Sequence, residues 1–187
     1  TQWSLNQGNQ AGGAIPEGKF TYTTGTGTSY FISPNINTTG KTQVVLDFRQ
    51  YLDHYSSGYS VGVSTRAAGG VWHSVWTVSP TGNIGPELKS IIITNSDVGS
   101  STFQFCFFIT GNLYNIDYWY IDDISLFAPY NLDAGLIKIT TPEIIVDFNN
   151  VTGILKNSGI TTINSLEVKY QIDNGDIFST PYNGLNI

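Results

Sequence analysis

Hydrophobic and polar residues alternate along most of the first 127 positions. In one such run, Val44, Leu46 and Phe48 share one face. The other face carries Val45, Asp47, Arg49 and Tyr51. Because side chains of a strand point alternately to its two faces, this run predicts a strand with one face in a core. Further runs predict strands at 59–65, 71–78, 90–94, 102–109 and 118–127, with glycine-rich turns between them.

Many short strands, and no long stretch with helical spacing, predict an all-β protein. Its first part, residues 1–128, is predicted to be a jelly-roll β-sandwich. Pro129 follows the last of these strands and ends it, because proline cannot donate to a β-ladder.

A second set of strands is predicted beyond the boundary, at 135–139, 143–148, 151–156 and 165–172. The sequence Asp173-Asn174-Gly175 predicts a hairpin turn after the last of them. An immunoglobulin-type sandwich needs about 100 residues and about seven strands. We therefore interpret 133–187 as an incomplete immunoglobulin-like β-sandwich, whose missing strands lie downstream or come from a partner.

Composition narrows the possible partners of the chain. Its 187 residues include 8 Lys and Arg against 14 Asp and Glu, for a net charge of −6. So few cations argue against nucleic-acid binding, which needs clustered positive charge to neutralise phosphates. No apolar run approaches the ~18 residues that span a bilayer. The single cysteine excludes a disulfide framework.

The setting predicted from composition is extracellular. Charged residues make up only 12% of the chain, and Thr, Asn, Ser, Gly and Tyr are abundant. With no methionine in the sequence, Thr1 is not a translation start, so we expect the chain to be part of a longer polypeptide.

Several motifs occur in an order that resembles one family. They are YFISPNI at 30–36, YSVGVST at 59–65 and WYIDDISL at 119–126, followed in the second part by VKYQIDNG at 168–175. The first three resemble MAM-like jelly rolls of the choice-of-anchor J, or cleaved-adhesin, type. The fourth resembles the immunoglobulin-like, CARDB-type modules that follow such domains in bacterial surface proteins. The resemblance implies secretion to the cell surface, often by type IX secretion, and implies no catalysis.

A structural calcium ion is one predicted feature. By alternation, Asp122 shares the core face of its strand, where a carboxylate is costly unless it is paired or metal-bound. Calcium takes carboxylate and carbonyl oxygens, and jelly rolls of the resembled kind often hold one near this strand. We predict Asp122 as a ligand, with Asp123 and Glu17 as further candidates. In the alternative interpretation, Asp122 accepts hydrogen bonds and binds no metal.

Aromatic residues supply the ligand-binding candidates. Tyr51 and Tyr55 are candidates for stacking on a sugar ring. Trp72 and Trp76 fall on one face of a predicted strand, and an exposed pair would form a platform for such a ring. We favour the other interpretation, in which both rings lie inside the sandwich. Tyr114 lies in a Tyr/Asn-rich stretch before the last strand and is predicted to form a binding rim.

No residue pattern predicts catalysis. Asp53 and His54 are adjacent and point to opposite faces of a strand, so their spacing does not form a relay. Cys106 lies in an apolar strand, where the thiolate is disfavoured.

We therefore predict a non-catalytic extracellular adhesion or recognition module of a larger secreted protein. Its partners would be a glycan or a protein on a surface, and further modules of the same polypeptide. The alternatives are a carbohydrate-binding appendage of a secreted hydrolase or peptidase, and a structural subunit of a surface fibre.

Overall fold

The computed structural model describes residues 2–140 and 152–187 and divides into two compact units, Thr1–Ala128 and Pro129–Ile187. Strands and irregular segments make up the described residues, and no helix occurs among them. Accordingly, within these two ranges, no helix has the length and apolarity to cross a bilayer.

The first unit is a jelly-roll β-sandwich of two antiparallel sheets. The five-stranded sheet has the order β1-β2-β9-β4-β7, and the four-stranded sheet has the order β3-β8-β5-β6. The strands are β1 (Trp3–Asn6), β2 (Glu17–Thr21), β3 (Thr26–Ile32), β4 (Val44–His54), β5 (Tyr59–Arg66), β6 (His73–Val78), β7 (Ile84–Ile93), β8 (Gln104–Asn112) and β9 (Ile116–Phe127). The predicted fold class is therefore confirmed for this unit.

Aromatic rings fill the space between the two sheets. Phe48 of β4 meets Phe107 of β8 edge to face at 4.8 Å, and Phe107 meets Trp119 of β9 at 5.9 Å. The indole Nε1 of Trp119 donates a hydrogen bond of 3.1 Å to Oε1 of Gln50, which is itself fully buried. The buried indole N–H and the buried amide oxygen therefore satisfy each other.

The strand prediction misses the beginning of the chain. Neither β1 nor β2 was predicted, and β7 begins earlier than the predicted strand at 90–94. The sequence of β2, Glu-Gly-Lys-Phe-Thr, shows only Phe20 as a large apolar residue. It forms a strand because it pairs with β9, a tertiary contact that no local pattern reports.

The predicted placement of Asp122 on the core face is wrong. The inward residues before it are Trp119 and Ile121, so Asp122 points to the opposite face of β9. A bulge then interrupts the pairing of β9 with β4, and Asp123 takes a φ of +47°. The bulge shifts the alternation, and Leu126 beyond it packs against the core.

The second unit contains four described strands in two antiparallel pairs. The strands are β10 (Ala134–Ile139), β11 (Gly153–Asn157), β12 (Ser165–Gln171) and β13 (Ile177–Asn183). The predicted turn joins β12 to β13, and Gly175 N donates to Ile172 O at 3.0 Å. The predicted strand at 143–148 lies outside the described residues, and the immunoglobulin-like assignment stays a prediction.

Candidate ligand site

Three loops of the first unit are joined by backbone hydrogen bonds. They follow β2 (residues 22–25), join β4 to β5 (55–58) and join β8 to β9 (113–115). Leu113 N donates to Gly25 O at 3.0 Å, Thr23 N donates to Leu113 O at 3.2 Å, and Ser56 N donates to Asn115 O at 2.9 Å. These bonds hold the loops in one arrangement before any ligand arrives.

Tyr114 points outward because its neighbours are anchored inward. Leu113 and Ile116 are both buried in the core. Between them, Tyr114 N donates to Oδ1 of Asn112 at 3.2 Å, and the Tyr114 side chain remains 47% exposed. The loop therefore presents an aromatic ring to solvent on a fixed backbone.

Tyr22, Tyr55 and Tyr114 surround a concavity of about 160 Å³, together with Asp117. We call this site the tyrosine cleft. The ring of Tyr114 lies 5.7 Å from that of Tyr22 at 89°, and 5.8 Å from that of Tyr55 at 85°. Two rings thus stand perpendicular to a third, and each is between 45% and 60% exposed.

The cleft is electronegative. Asp117 is its one charged lining residue. Burial first, and then the charges of Asp117 and Asp53, raise the pKa of the nearby Tyr59 hydroxyl above its usual range. Among residues 2–140 and 152–187, Asp117 forms no salt bridge. Its negative charge is therefore available to a ligand.

The two predicted tryptophans lie in different surroundings. Trp72 precedes β6 and stacks on Tyr30 at 6.1 Å, with the Arg66 guanidinium 4.3 Å from its ring centroid. Trp76 packs partly buried against the core, 6.1 Å from Phe48. They do not share a face as predicted, because a bulge in the pairing of β5 with β6 lies between them. The interior placement that we favoured from the sequence is therefore right for Trp76 and wrong for Trp72.

Glu17, one of the predicted calcium ligands, is almost fully buried and accepts hydrogen bonds through both oxygens. Oε1 accepts from Asn6 Nδ2 at 2.7 Å and from Gln10 N at 3.0 Å, and Oε2 accepts from Ala11 N at 2.9 Å. The carboxylate thereby anchors the loop between β1 and β2.

Asp122 and Asp123 lie beside the same loop. Asp123 Oδ2 pairs with Arg49 Nε at 3.3 Å. Asp122 Oδ1 accepts from Asp123 N at 2.8 Å, while Asp122 Oδ2 is buried and has no hydrogen-bond partner. A side chain on Gly13 would overlap this carboxylate, so the loop backbone covers it closely. No group of three or more His, Cys, Asp or Glu side chains within the described ranges forms a metal site by itself.

The groups considered for catalysis have structural partners. Burial raises the pKa of the Cys106 thiol to about 12, so it stays protonated at neutral pH and is a poor nucleophile. His54 Nδ1 lies 3.0 Å from the Tyr59 hydroxyl. His73 Nδ1 lies 3.0 Å from Oδ2 of the buried Asp97, which also accepts from the Thr65 hydroxyl at 2.7 Å.

Of the cleft residues, Tyr55 and Tyr114 were predicted as ligand-binding candidates, and Tyr22 and Asp117 were not. Tyr22 and Tyr55 each follow the last residue of a strand by one position, and Asp117 lies at the start of β9. A tyrosine directly after a strand is a signal for a loop residue, but it does not tell which loops meet. That information is held in the strand order.

Solved structures offer remote matches, whereas no protein-family model and no curated protein matches the chain. One is a family 61 carbohydrate-binding module in complex with β-1,4-galactotriose, at 17% identity and a TM-score of 0.44, covering 68% of this chain and 82% of that one. A second is a family 16 carbohydrate-binding module, at 16% identity and a TM-score of 0.43, covering 67% and 85%. A third is a non-crystalline-cellulose-specific family 28 module, at 10% identity and a TM-score of 0.43, covering 66% and 79%. At this distance, function has to be inferred from the chain's own geometry.

Proposed function

We propose that the first unit is a non-catalytic carbohydrate-binding module and that the tyrosine cleft holds the sugar. The observation that carries the proposal is a set of three exposed tyrosines on loops held together by backbone hydrogen bonds, with the ring of Tyr114 perpendicular to the other two and one carboxylate beside them. Binding sites of small ligands commonly combine aromatic walls with a few polar groups in this way.

A sugar has the surface properties that such a cleft complements. Its ring carries axial C–H groups that stack on an aromatic face, and its rim carries hydroxyls that donate to a carboxylate. Tyrosine provides a large contact area and loses little conformational entropy, because only two side-chain torsions are fixed. Tyr22, Tyr55 and Tyr114 would stack against the ligand, and Asp117 would accept its hydroxyls.

Alanine at Tyr114 is expected to weaken glycan binding by about tenfold to a hundredfold, because Tyr114 contacts both other rings and its loss removes the central wall. The measurement is a glycan array with the purified chain, followed by isothermal titration of each positive glycan against wild type and Tyr114→Ala.

The matched control is Trp72→Ala, which removes an aromatic residue from the other predicted platform. It is expected to leave affinity unchanged. If Trp72→Ala abolished binding while Tyr114→Ala did not, the sugar site would lie at Tyr30 and Trp72 instead of in the cleft. Binding of a proline-rich peptide to the cleft, with no glycan bound, would contradict the carbohydrate assignment.

We place this activity at a cell surface, in an adhesion or recognition role within a larger secreted protein. The low charge content and the family resemblance of the motifs at 30–36, 59–65 and 119–126 support this setting. Surface labelling of intact cells of the source organism with an antibody to the chain would test it, and exclusively internal labelling would contradict it.

We also propose a structural calcium ion at Asp122. Its buried Oδ2 has no hydrogen-bond partner, and calcium is coordinated by carboxylate oxygens together with backbone carbonyls. Calcium at a hundredfold excess over its Kd is expected to stabilise the unit by about 2.7 kcal/mol, because it binds the folded state alone. Thermal melts with calcium and with a chelator measure this. Asp122→Asn should abolish the difference. If the wild type melted at the same temperature with calcium and with chelator, the proposed ion would be contradicted.

A further inference from the structure

The tyrosine cleft has a charge character that a neutral sugar leaves unused. Its walls are three aromatic rings, whose faces carry partial negative charge, and its polar group is the carboxylate of Asp117. Within the part of the chain that the structure describes, no lysine, arginine or histidine lines it. The ring faces and the carboxylate both attract a positive charge.

Two tyrosines elsewhere in the same unit hold an ammonium group against their rings. The Nζ of Lys19 lies 4.0 Å from the ring centroid of Tyr118 and 5.7 Å from that of Tyr120, on the five-stranded sheet. In the cleft, no lysine or arginine of residues 2–140 and 152–187 takes the corresponding position against Tyr22, Tyr55 or Tyr114. A ligand can therefore bring its own cation.

We propose that the tyrosine cleft selects sugars with a free, protonated amine, such as a glucosamine unit, over the same sugar in its neutral N-acetylated form. This inference rests on the proposed carbohydrate function and names the ligand class of the same site. The ammonium pairs with Asp117 and lies against the tyrosine faces, while the sugar ring stacks as any sugar would.

The expected selectivity is moderate. An exposed ion pair and an exposed cation–π contact each contribute a modest amount, and together they favour the amine by about tenfold. N-acetylation removes the charge and keeps the ring and its hydroxyls. Acidic sugars are expected to be excluded, because their carboxylate would face Asp117.

The test is isothermal titration of the full chain with the disaccharides of glucosamine and of N-acetylglucosamine, at one ionic strength and at a pH where the amine is protonated. Wild type should prefer the amine about tenfold. Asp117→Asn should bring the two affinities close together, because it removes the ion pair with the amine, whereas the amide oxygen of the variant can still accept the hydroxyls of either sugar. The variant keeps the backbone carbonyl that accepts from Tyr22 N at 3.2 Å, so the loops are retained.

Asp176→Asn is the matched control, because it removes the same charge from an exposed position in the second unit. It should leave both affinities unchanged. If it lowered the preference as much as Asp117→Asn, the preference would reflect overall charge, and the inference would be wrong. Equal wild-type affinities for the two disaccharides would also overturn the inference. In that case, loss of binding to both disaccharides in Tyr114→Ala would still support the proposed carbohydrate function. If no glycan bound, the proposed function itself would fail. Tight binding of choline in place of any sugar would redefine the cleft as a cation cage.

Discussion

Trp119→Ala is expected to lower the free energy of unfolding of the first unit by about 3–5 kcal/mol, the usual cost of truncating a fully buried large aromatic. Trp119 is fully buried and contacts Phe107 at the centre of the sandwich. Its removal leaves a cavity and leaves Oε1 of the buried Gln50 without its donor. Thermal unfolding should show a melting temperature lower by about 10–20 °C.

Two further variants separate the contribution of the buried ring from that of its N–H group and from that of a surface tryptophan. Trp119→Phe keeps most of the volume and removes the indole N–H, so its cost should be about 1–3 kcal/mol, mainly from Gln50. Trp72→Ala removes a tryptophan that stacks on the exposed Tyr30, and it should change stability by less than about 1 kcal/mol. Similar losses for Trp72→Ala and Trp119→Ala would contradict the placement of Trp119 as the central core residue.

The sequence was sufficient to predict the sandwich where alternation is strong. Val44, Leu46 and Phe48 fall on the core face of β4 as predicted, because an apolar residue at every second position has one way to bury itself in a sheet. The same rule failed in β9. The bulge at Asp123 adds a residue to one strand, so alternation counted through it places Asp122 on the wrong face.

The cleft could be predicted only in part, for a topological reason. Tyr114 was accessible to prediction because the residues around it are rich in tyrosine and asparagine. Tyr22 and Tyr55 are far from it in sequence, and they come together because β9 pairs with both β2 and β4. A single sequence does not reveal which strands are neighbours. The prediction therefore turned to Trp72 and Trp76, whose spacing within one segment is visible.

Glu17→Ala is expected to destabilise the first unit by about 3 kcal/mol, because three N–H donors lose a charged acceptor at once. The donors are Asn6 Nδ2, Gln10 N and Ala11 N, at 2.7 to 3.0 Å. Ala11 is fully buried, so water cannot replace the acceptor there. Urea unfolding measures the loss, and amide exchange should quicken at Gln10 and Ala11.

The same variant distinguishes a loop anchor from a calcium ligand. Because both Glu17 oxygens already accept from N–H groups, its loss should cost the same free energy in calcium and in chelator. Asp122→Asn should instead remove the calcium-dependent part of the free energy of unfolding and leave amide exchange at Ala11 slow. If Glu17→Ala abolished the response to calcium, then Glu17 would be a ligand, and the loop between β1 and β2 would rearrange around the ion. Glu17→Gln completes the comparison. It keeps one acceptor oxygen for the loop and removes the charge. Its free energy of unfolding should therefore lie between those of the wild type and Glu17→Ala.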